Sequence, residues 1–422
     1  MNVRHLTEKV PKHALIVNAI YLIKWILAAE GVGLLIGAIG AGFYHTLHFV
    51  TETRTAHPWI IALLPLGGLL IVFVYRKCGV VTDRGTNQII TSITGSDRVQ
   101  LRKAPLIFCA TAVTHLFGGS AGRESAALQI GGCIGQNLGY LFRFHEGDRK
   151  IITMCGMSAA FAALFGTPMS AAFLAMEISS IGVLYYAALV PCTLSALTAN
   201  AFAVWLGTRP DAFTIYIAPS FTVSHAVICG ILTILCALIS ILFCVSLHRG
   251  GEFFQKLLPN PYARIAAAGA LVAVLTFALR TPLFTGAGMD VIEQAFEGSV
   301  PAWAFLGKIL FTTLTMSSGY KGGEIVPSLY IGATFGSTFG MLVGFDHQMC
   351  AAIGMAALFC GITNCPIASL LLCFEMFGYA GMPYFLITIA LSYAFSGYYS
   401  VYASQKIVYS KFRNTYVNRP AK

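Results

Sequence analysis

The chain has 422 residues, 57% of them hydrophobic and only 10% charged, with a mean hydropathy of +0.74. Soluble domains carry roughly 45–50% apolar and about 25% charged residues, and a sphere of this size has too little interior to hide the excess. This excludes an ordinary soluble enzyme, a disordered chain and a nucleic-acid-binding module, and the surplus of 27 Lys and Arg over 17 Asp and Glu reads as basic cytoplasmic loops and tails.

The N-terminus is basic, with Arg4, Lys9 and Lys12 against Glu8. An apolar run over Ala14–Val50 follows without a small-residue cleavage site, so no cleavable signal peptide is expected. Further long apolar runs cover Trp59–Tyr75, Ile181–Leu206, Ser224–Leu247, Ala263–Leu279 and Tyr384–Tyr399. Between them lie shorter, glycine-rich apolar segments near 104–141, 151–180, 303–345 and 349–379. Such runs exceed the ~10-residue strands of a membrane barrel. They predict an all-α polytopic membrane protein with many short, broken, tilted helices. Several pieces fall short of the ~20 residues that span a bilayer. Broken helices survive at membrane depth only where protein or a water-filled cavity covers the freed backbone groups, which points to a transporter or channel interior. A basic tail, 406–422, closes the chain with Lys406, Lys411, Arg413, Arg419 and Lys422 and no acid. Both ends therefore read as cytoplasmic.

The chain repeats itself. Cys155-Gly-Met-Ser-Ala-Ala-Phe161 recurs as Ile353-Gly-Met-Ala-Ala-Leu-Phe359, an offset of 198 that also matches Pro168 to Pro366 and Glu177 to Glu375. Just upstream, an offset of 201 matches Thr114 to Thr315, Gly122 to Gly323 and Gly131 to Gly332. Two homologous halves, roughly 1–207 and 222–405, are expected. Paired broken helices in corresponding positions mark a substrate site near the membrane midplane.

Five acids sit in apolar surroundings: Glu30, Glu124, Glu177, Glu324 and Glu375. Buried carboxylates are expensive and are functional candidates by default. Glu177 and Glu375 share one repeat position, which favours a backbone-binding role in both halves, and Glu30 reads as structural or headgroup-facing. Glu124 and Glu324 carry more weight because each lies in a glycine-rich turn that opens a helix. In Phe117-Gly-Gly-Ser-Ala-Gly-Arg-Glu-Ser125 the glycines let the backbone approach a ligand. The helix start behind them offers free N–H groups and partial positive charge. A carboxylate there competes with a diffusing anion for the same donors, so Glu124 can be both gate and proton carrier. Lys321-Gly-Gly-Glu-Ile-Val-Pro327 offers a second helix start from the other half. Two such starts meeting would cradle an anion without a full charge to trap it. Arg123 reads as an ion-pair residue and Lys321 as a funnel charge.

Other chemistry finds little support. His45 and His48 lie three apart on one helix and His115 precedes the glycine loop, but no acid or Cys completes a metal set. The 12 cysteines show no CxxC or Cys/His spacing and read as small buried residues. No catalytic residue, cofactor or metal is expected.

These residues resemble the CLC family of chloride channels and transporters, from about residue 14 to 412. The family's Gly-Lys/Arg-Glu-Gly-Pro stands here as Gly122-Arg-Glu-Ser-Ala126, its gating glutamate falling on Glu124. Its Gly-x-Phe-x-Pro stands as Gly323-Glu-Ile-Val-Pro327, with Ile325 at the anion-coordinating Phe. Its Gly-Ser-Gly-Ile-Pro is replaced by Gly85-Thr-Asn-Gln-Ile89, with Thr86 at the coordinating Ser, and Tyr402 matches the family's central Tyr. The resemblance implies inverted halves, a homodimer in the lipid bilayer and an inner-membrane location. Its implied anion-binding set is Thr86, Gly122, Arg123, Ser125, Gly323, Ile325, Val326 and Tyr402, with Glu124 and Glu324 gating or transferring protons. Glu324 in its Lys-Gly-Gly-Glu context and Gly-x-Asn in the first motif look like the fluoride-exporting bacterial branch. Ser125-Ala126, Val326 and Thr86 depart from that branch's pattern. Ile178 stands where the chloride/proton exchangers carry an internal glutamate. The expected activity is fluoride/proton antiport. A chloride channel or chloride/proton exchanger is the alternative, and an unrelated secondary solute carrier a distant one. No regulatory nucleotide-binding domain is expected after Tyr402.

Overall fold

The computed structural model describes the chain apart from residues 1–11, 81–82, 96, 214, 216–217 and 422. The basic residues Arg4, Lys9 and Lys422 lie outside the described residues, as does the side chain of Lys12. The described chain is helical almost throughout, as the apolar runs require. The first half holds α1 (Lys12–Ala56), α2 (Leu64–Lys77), α3 (Thr86–Thr94), α4 (Lys103–Leu116), α5 (Glu124–Leu141), α6 (Glu146–Phe165), α7 (Pro168–Glu177) and α8 (Leu189–Trp205). The second holds α9 (Val223–Leu257), α10 (Pro261–Leu279), α11 (Met289–Phe296), α12 (Ala304–Ser318), α13 (Ile325–Val343), α14 (His347–Thr363), α15 (Pro366–Phe377) and α16 (Met382–Phe395).

Among the described residues, six helical stretches are long and apolar enough to cross a membrane, including Ala19–Ala56, Val223–Leu257 and Ile325–Val343. At ~1.5 Å per residue the 45 residues of α1 span about 68 Å, twice the ~30 Å hydrocarbon core. This helix therefore leans or projects beyond the bilayer. Others are too short to cross: α4, α14, α15 and α16 have between 12 and 17 residues. Punctuation explains the breaks. Prolines open α7, α10 and α15, where the missing N–H costs nothing. Gly166, Gly319, Gly344 and Asn364 close α6, α12, α13 and α14 in the left-handed region. Two apolar runs are more broken than the sequence implies. Pro58–Leu63 is a separate 3-10 turn before α2, and the run from Ile181 begins in a strand before α8.

The core centres on α6 and α14, which carry the repeated heptapeptides and are buried on every side over Ile151–Phe165 and Met349–Thr363. Small residues allow this. At the α5–α6 crossing a Cβ on Gly131 would sit 2.1 Å from the Gly156 carbonyl oxygen. At the α13–α14 crossing a Cβ on Gly332 would sit 2.3 Å from the Gly354 oxygen. With little hydrophobic drive between helices in lipid, such close backbone packing is what holds them together. Ten of the 12 cysteines are buried in this interior.

One feature departs from the all-helical expectation. β1 (Ser180–Ile181) pairs in parallel with β2 (Lys406–Tyr409), which pairs antiparallel with β3 (Tyr416–Pro420). The segment read as a tail is a hairpin stitched to the end of α7. The connection between the halves is also drawn inward, since Phe213 N donates to Met376 O and Asp211 N to Phe165 O.

Candidate functional site

The turn before α5 and the turn before α13 meet head-on. Gly122 N donates to Gly323 O and Gly323 N donates to Gly122 O, both at 2.7 Å. Matched threonines clamp the two turns from behind: Ser120 N donates to Thr315 Oγ1 at 3.1 Å, and Lys321 N donates to Thr114 Oγ1 at 3.3 Å. Each bond is the other shifted by one repeat, the pattern a two-fold relation produces. No side chain fits at these glycines. A Cβ on Gly122 would lie 3.0 Å from Pro327 Cδ, and one on Gly322 would lie 2.5 Å from Ala121 Cβ.

Glu124 occupies the junction and is wholly buried. Its Oε2 accepts from Arg123 N at 3.0 Å and from Val326 N at 3.4 Å, one donor from each half. Its Oε1 lies 3.4 Å from Arg123 Nε. The Arg123 guanidinium is otherwise committed to Asp211, at 2.5 Å, and faces the Tyr44 ring. The expected ion pair of Arg123 is present, and its partner comes from the inter-half connection. The aligned helix dipoles favour an anion here by about 0.3–1 kcal/mol each, up to ~2 kcal/mol when partly buried.

A vestibule of about 330 Å³ leads toward this point, lined by Thr86, Gln129, Lys321, Glu324 and Tyr402 among others. Thr86 Oγ1 accepts from Gln129 Nε2 at 3.1 Å. Ser125 Oγ accepts from Glu324 N at 3.4 Å. The buried Tyr402 hydroxyl and the second Glu324 oxygen have no hydrogen-bond partner among the described residues. Buried polar atoms without partners are rare, and each asks for an explanation.

The structure thus brings together Glu124, Arg123, Ser125, Val326, Glu324, Tyr402 and Thr86. It corrects the reading of Gly122 and Gly323, whose N–H groups are spent on each other and shape the cradle instead of donating to an anion. The Arg123 side chain is likewise committed to carboxylates. Ile325 is fully buried at the first turn of α13. Glu30 accepts from Thr198 Oγ1 on α8 at 2.6 Å, a structural contact.

Four residues escaped the sequence reading. Asp83, in the loop between α2 and α3, bonds both Lys103, at 3.1 Å, and Lys321, at 2.9 Å. Burial alone would raise its pKa, but the two lysines hold it down at about 2. Asp211, Gln129 and Asn87 complete the set; Asn87 Oδ1 accepts from Ser404 N at 2.8 Å, tying α3 to the Tyr402 segment. Gln129, a polar residue in an apolar helix, was the one with a visible signal.

Fold and site together define a multi-pass membrane protein in which two helix starts meet around a buried carboxylate. The family described as voltage gated chloride channel matches residues 67–397, and the chain belongs to it. A chloride/fluoride channel protein of Pseudomonas syringae pv. tomato is 36% identical over 401 residues, covering 93% of this chain and 88% of that protein. The H(+)/Cl(-) exchange transporter ClcA of Vibrio cholerae is 26% identical over 377 residues, covering 82% of this chain and 80% of that protein. Among solved structures, a CLC-type fluoride/proton antiporter superposes with a TM-score of 0.88 at 30% identity, over 92% of this chain and 98% of that one. A slow cyanobacterial Cl-/H+ antiporter shares the fold, with a TM-score of 0.75 at 21% identity over 88% and 94% of the two chains.

Proposed function

We propose that the protein exchanges fluoride against protons across the membrane, with Glu124 as gate and proton carrier and Glu324 as a second protonatable group on the vestibule side. The observation that carries this reading is the Glu124 carboxylate seated on one N–H from each half. An ionised carboxylate and a halide compete for those donors. Protonation releases them, so the arrival of a proton and the admission of the anion are linked at one side chain. Because Asp211 engages Arg123, the anion meets no unpaired full charge, which permits release. Thr86, Ser125, Val326 N–H and Tyr402 are the donors that would replace its hydration. Fluoride is small and strongly hydrated, so extra donors and a carboxyl able to protonate suit it. The solved fluoride/proton antiporter supports fluoride, and the Pseudomonas relative is named for both chloride and fluoride. Ile178, fully buried, fills the position expected to carry an internal glutamate in chloride exchangers.

Chloride/proton exchange is the second reading, favoured by the Vibrio cholerae relative. The same proposal takes the working unit as a homodimer in a bacterial inner membrane, built from halves 1–207 and 222–405, with both termini and the 406–422 segment cytoplasmic. Purified protein in liposomes tests it. Fluoride efflux that outpaces chloride and drives proton uptake supports antiport of fluoride. Equal halide rates with no response to a pH gradient would reject it.

A further inference from the structure

A second cavity, of about 810 Å³, opens between α1, α4 and α5. Its walls are apolar: Leu35 and Ile39 from α1, Pro105 from α4, and Ile134, Leu138 and Leu141 from α5. Its polar end lies where the chain enters α4 and leaves α5, and Arg98 and Arg102 stand there. Arg98 stacks on the Tyr140 ring at 4.5 Å, and Arg102 Nε donates to Gln100 Oε1 at 2.8 Å. Both arginines are exposed, and among the described residues neither makes a salt bridge. Asp97 is the carboxylate nearest in sequence, and it shares an adjoining cleft with Arg84, Gln88 and Arg98.

We propose that this groove binds an anionic phospholipid, with an acyl chain along the apolar wall and the phosphate on Arg98 and Arg102. Apolar walls alone cannot select a lipid, because lipid tails are as apolar as the walls. Selection comes from the positive charge of the two guanidinium groups, which is drawn to a phosphate whose headgroup carries no cation of its own. An aromatic ring at the same level is what the membrane interface favours. Three arginines against one aspartate give this rim a net positive charge, complementary to an anionic headgroup and only partly balanced by the zwitterion of phosphatidylcholine. Arg84 lines both the adjoining cleft and the vestibule, which links the headgroup end of the groove to the vestibule through one side chain.

Native mass spectrometry of the delipidated, full-length protein tests this with phosphatidylglycerol and phosphatidylcholine of identical chains. The wild type should hold phosphatidylglycerol on the order of tenfold more tightly, the effect of two basic residues at an anionic surface. R98Q/R102Q should erase that preference while R98K/R102K retains most of it, and Ile134→Trp, which fills the groove, should weaken both lipids. Equal affinity of the wild type for the two lipids would overturn the proposal without reference to any variant. So would an intact preference in R98Q/R102Q, or displacement of phosphatidylglycerol by millimolar inorganic phosphate, which would assign the arginines to a soluble anion.

Discussion

Glu177 and Glu375 each hold the start of the other's helix. Glu177, the last residue of α7, accepts from Ile367 N and Ala368 N at the start of α15, at 3.3 and 2.9 Å. Glu375, near the end of α15, accepts from Met169 N and Ser170 N at the start of α7, both at 2.8 Å. Two short helices are thereby capped by carboxylates from outside their own turn, which answers the cost of placing acids in apolar surroundings.

Removing either cap strands two backbone donors. Glu177→Ala and Glu375→Ala should each lower stability by about 0.5–2 kcal/mol, read as a lower melting temperature in detergent, with halide selectivity unchanged. Losses of similar size are expected because the two contacts are equivalent. A melting curve indistinguishable from wild type for both would contradict the capping role.

Glu124→Gln keeps the shape of the side chain and removes its ability to carry a proton. Anion flux should persist while proton movement stops, measured together in liposomes with a halide electrode and a pH electrode. Proton coupling that survives the substitution would move the carrier role elsewhere.

Glu324 lines the vestibule with an unpartnered oxygen. If that oxygen serves the small anion, Glu324→Ala should reduce fluoride flux more than chloride flux. Equal losses of both would reduce the residue to a helix cap.

Asp83 supplies a prediction in pH. Its carboxyl is depressed to about 2 by Lys321 and Lys103 against the opposing effect of burial, compared with about 3.9 in an unfolded chain. A depressed acid contributes stability above its unfolded value and loses it as pH falls through the folded one. Asp83→Asn should therefore melt well below wild type at neutral pH, since breaking a buried pair costs about 3–5 kcal/mol. The gap should narrow between about pH 4 and pH 2. A gap independent of pH would show that the charge of Asp83 is not what stabilises the cluster.

The elements legible in the sequence are those written in short-range patterns. Apolar runs gave the helices, and prolines and glycines gave their ends. The internal offsets of 198 and 201 paired Glu177 with Glu375 and Gly122 with Gly323 before any contact was visible. Long-range pairing was not legible. Arg123 was expected to take an ion-pair partner, but nothing in the spacing points to Asp211, 88 residues away. Asp83 is another such case: it joins Lys321 across 238 residues from a loop that looks solvated. The sheet around β2 was missed because β1 has only two residues, too few for an alternating pattern to register.

The doubled bond between Gly122 and Gly323 has a mechanical consequence. Tilting either turn alone would break two buried hydrogen bonds at once, and water has little access there to replace them. The two turns form a single rivet. A swing of individual side chains leaves both bonds intact, whereas tilting one turn against the other breaks the pair.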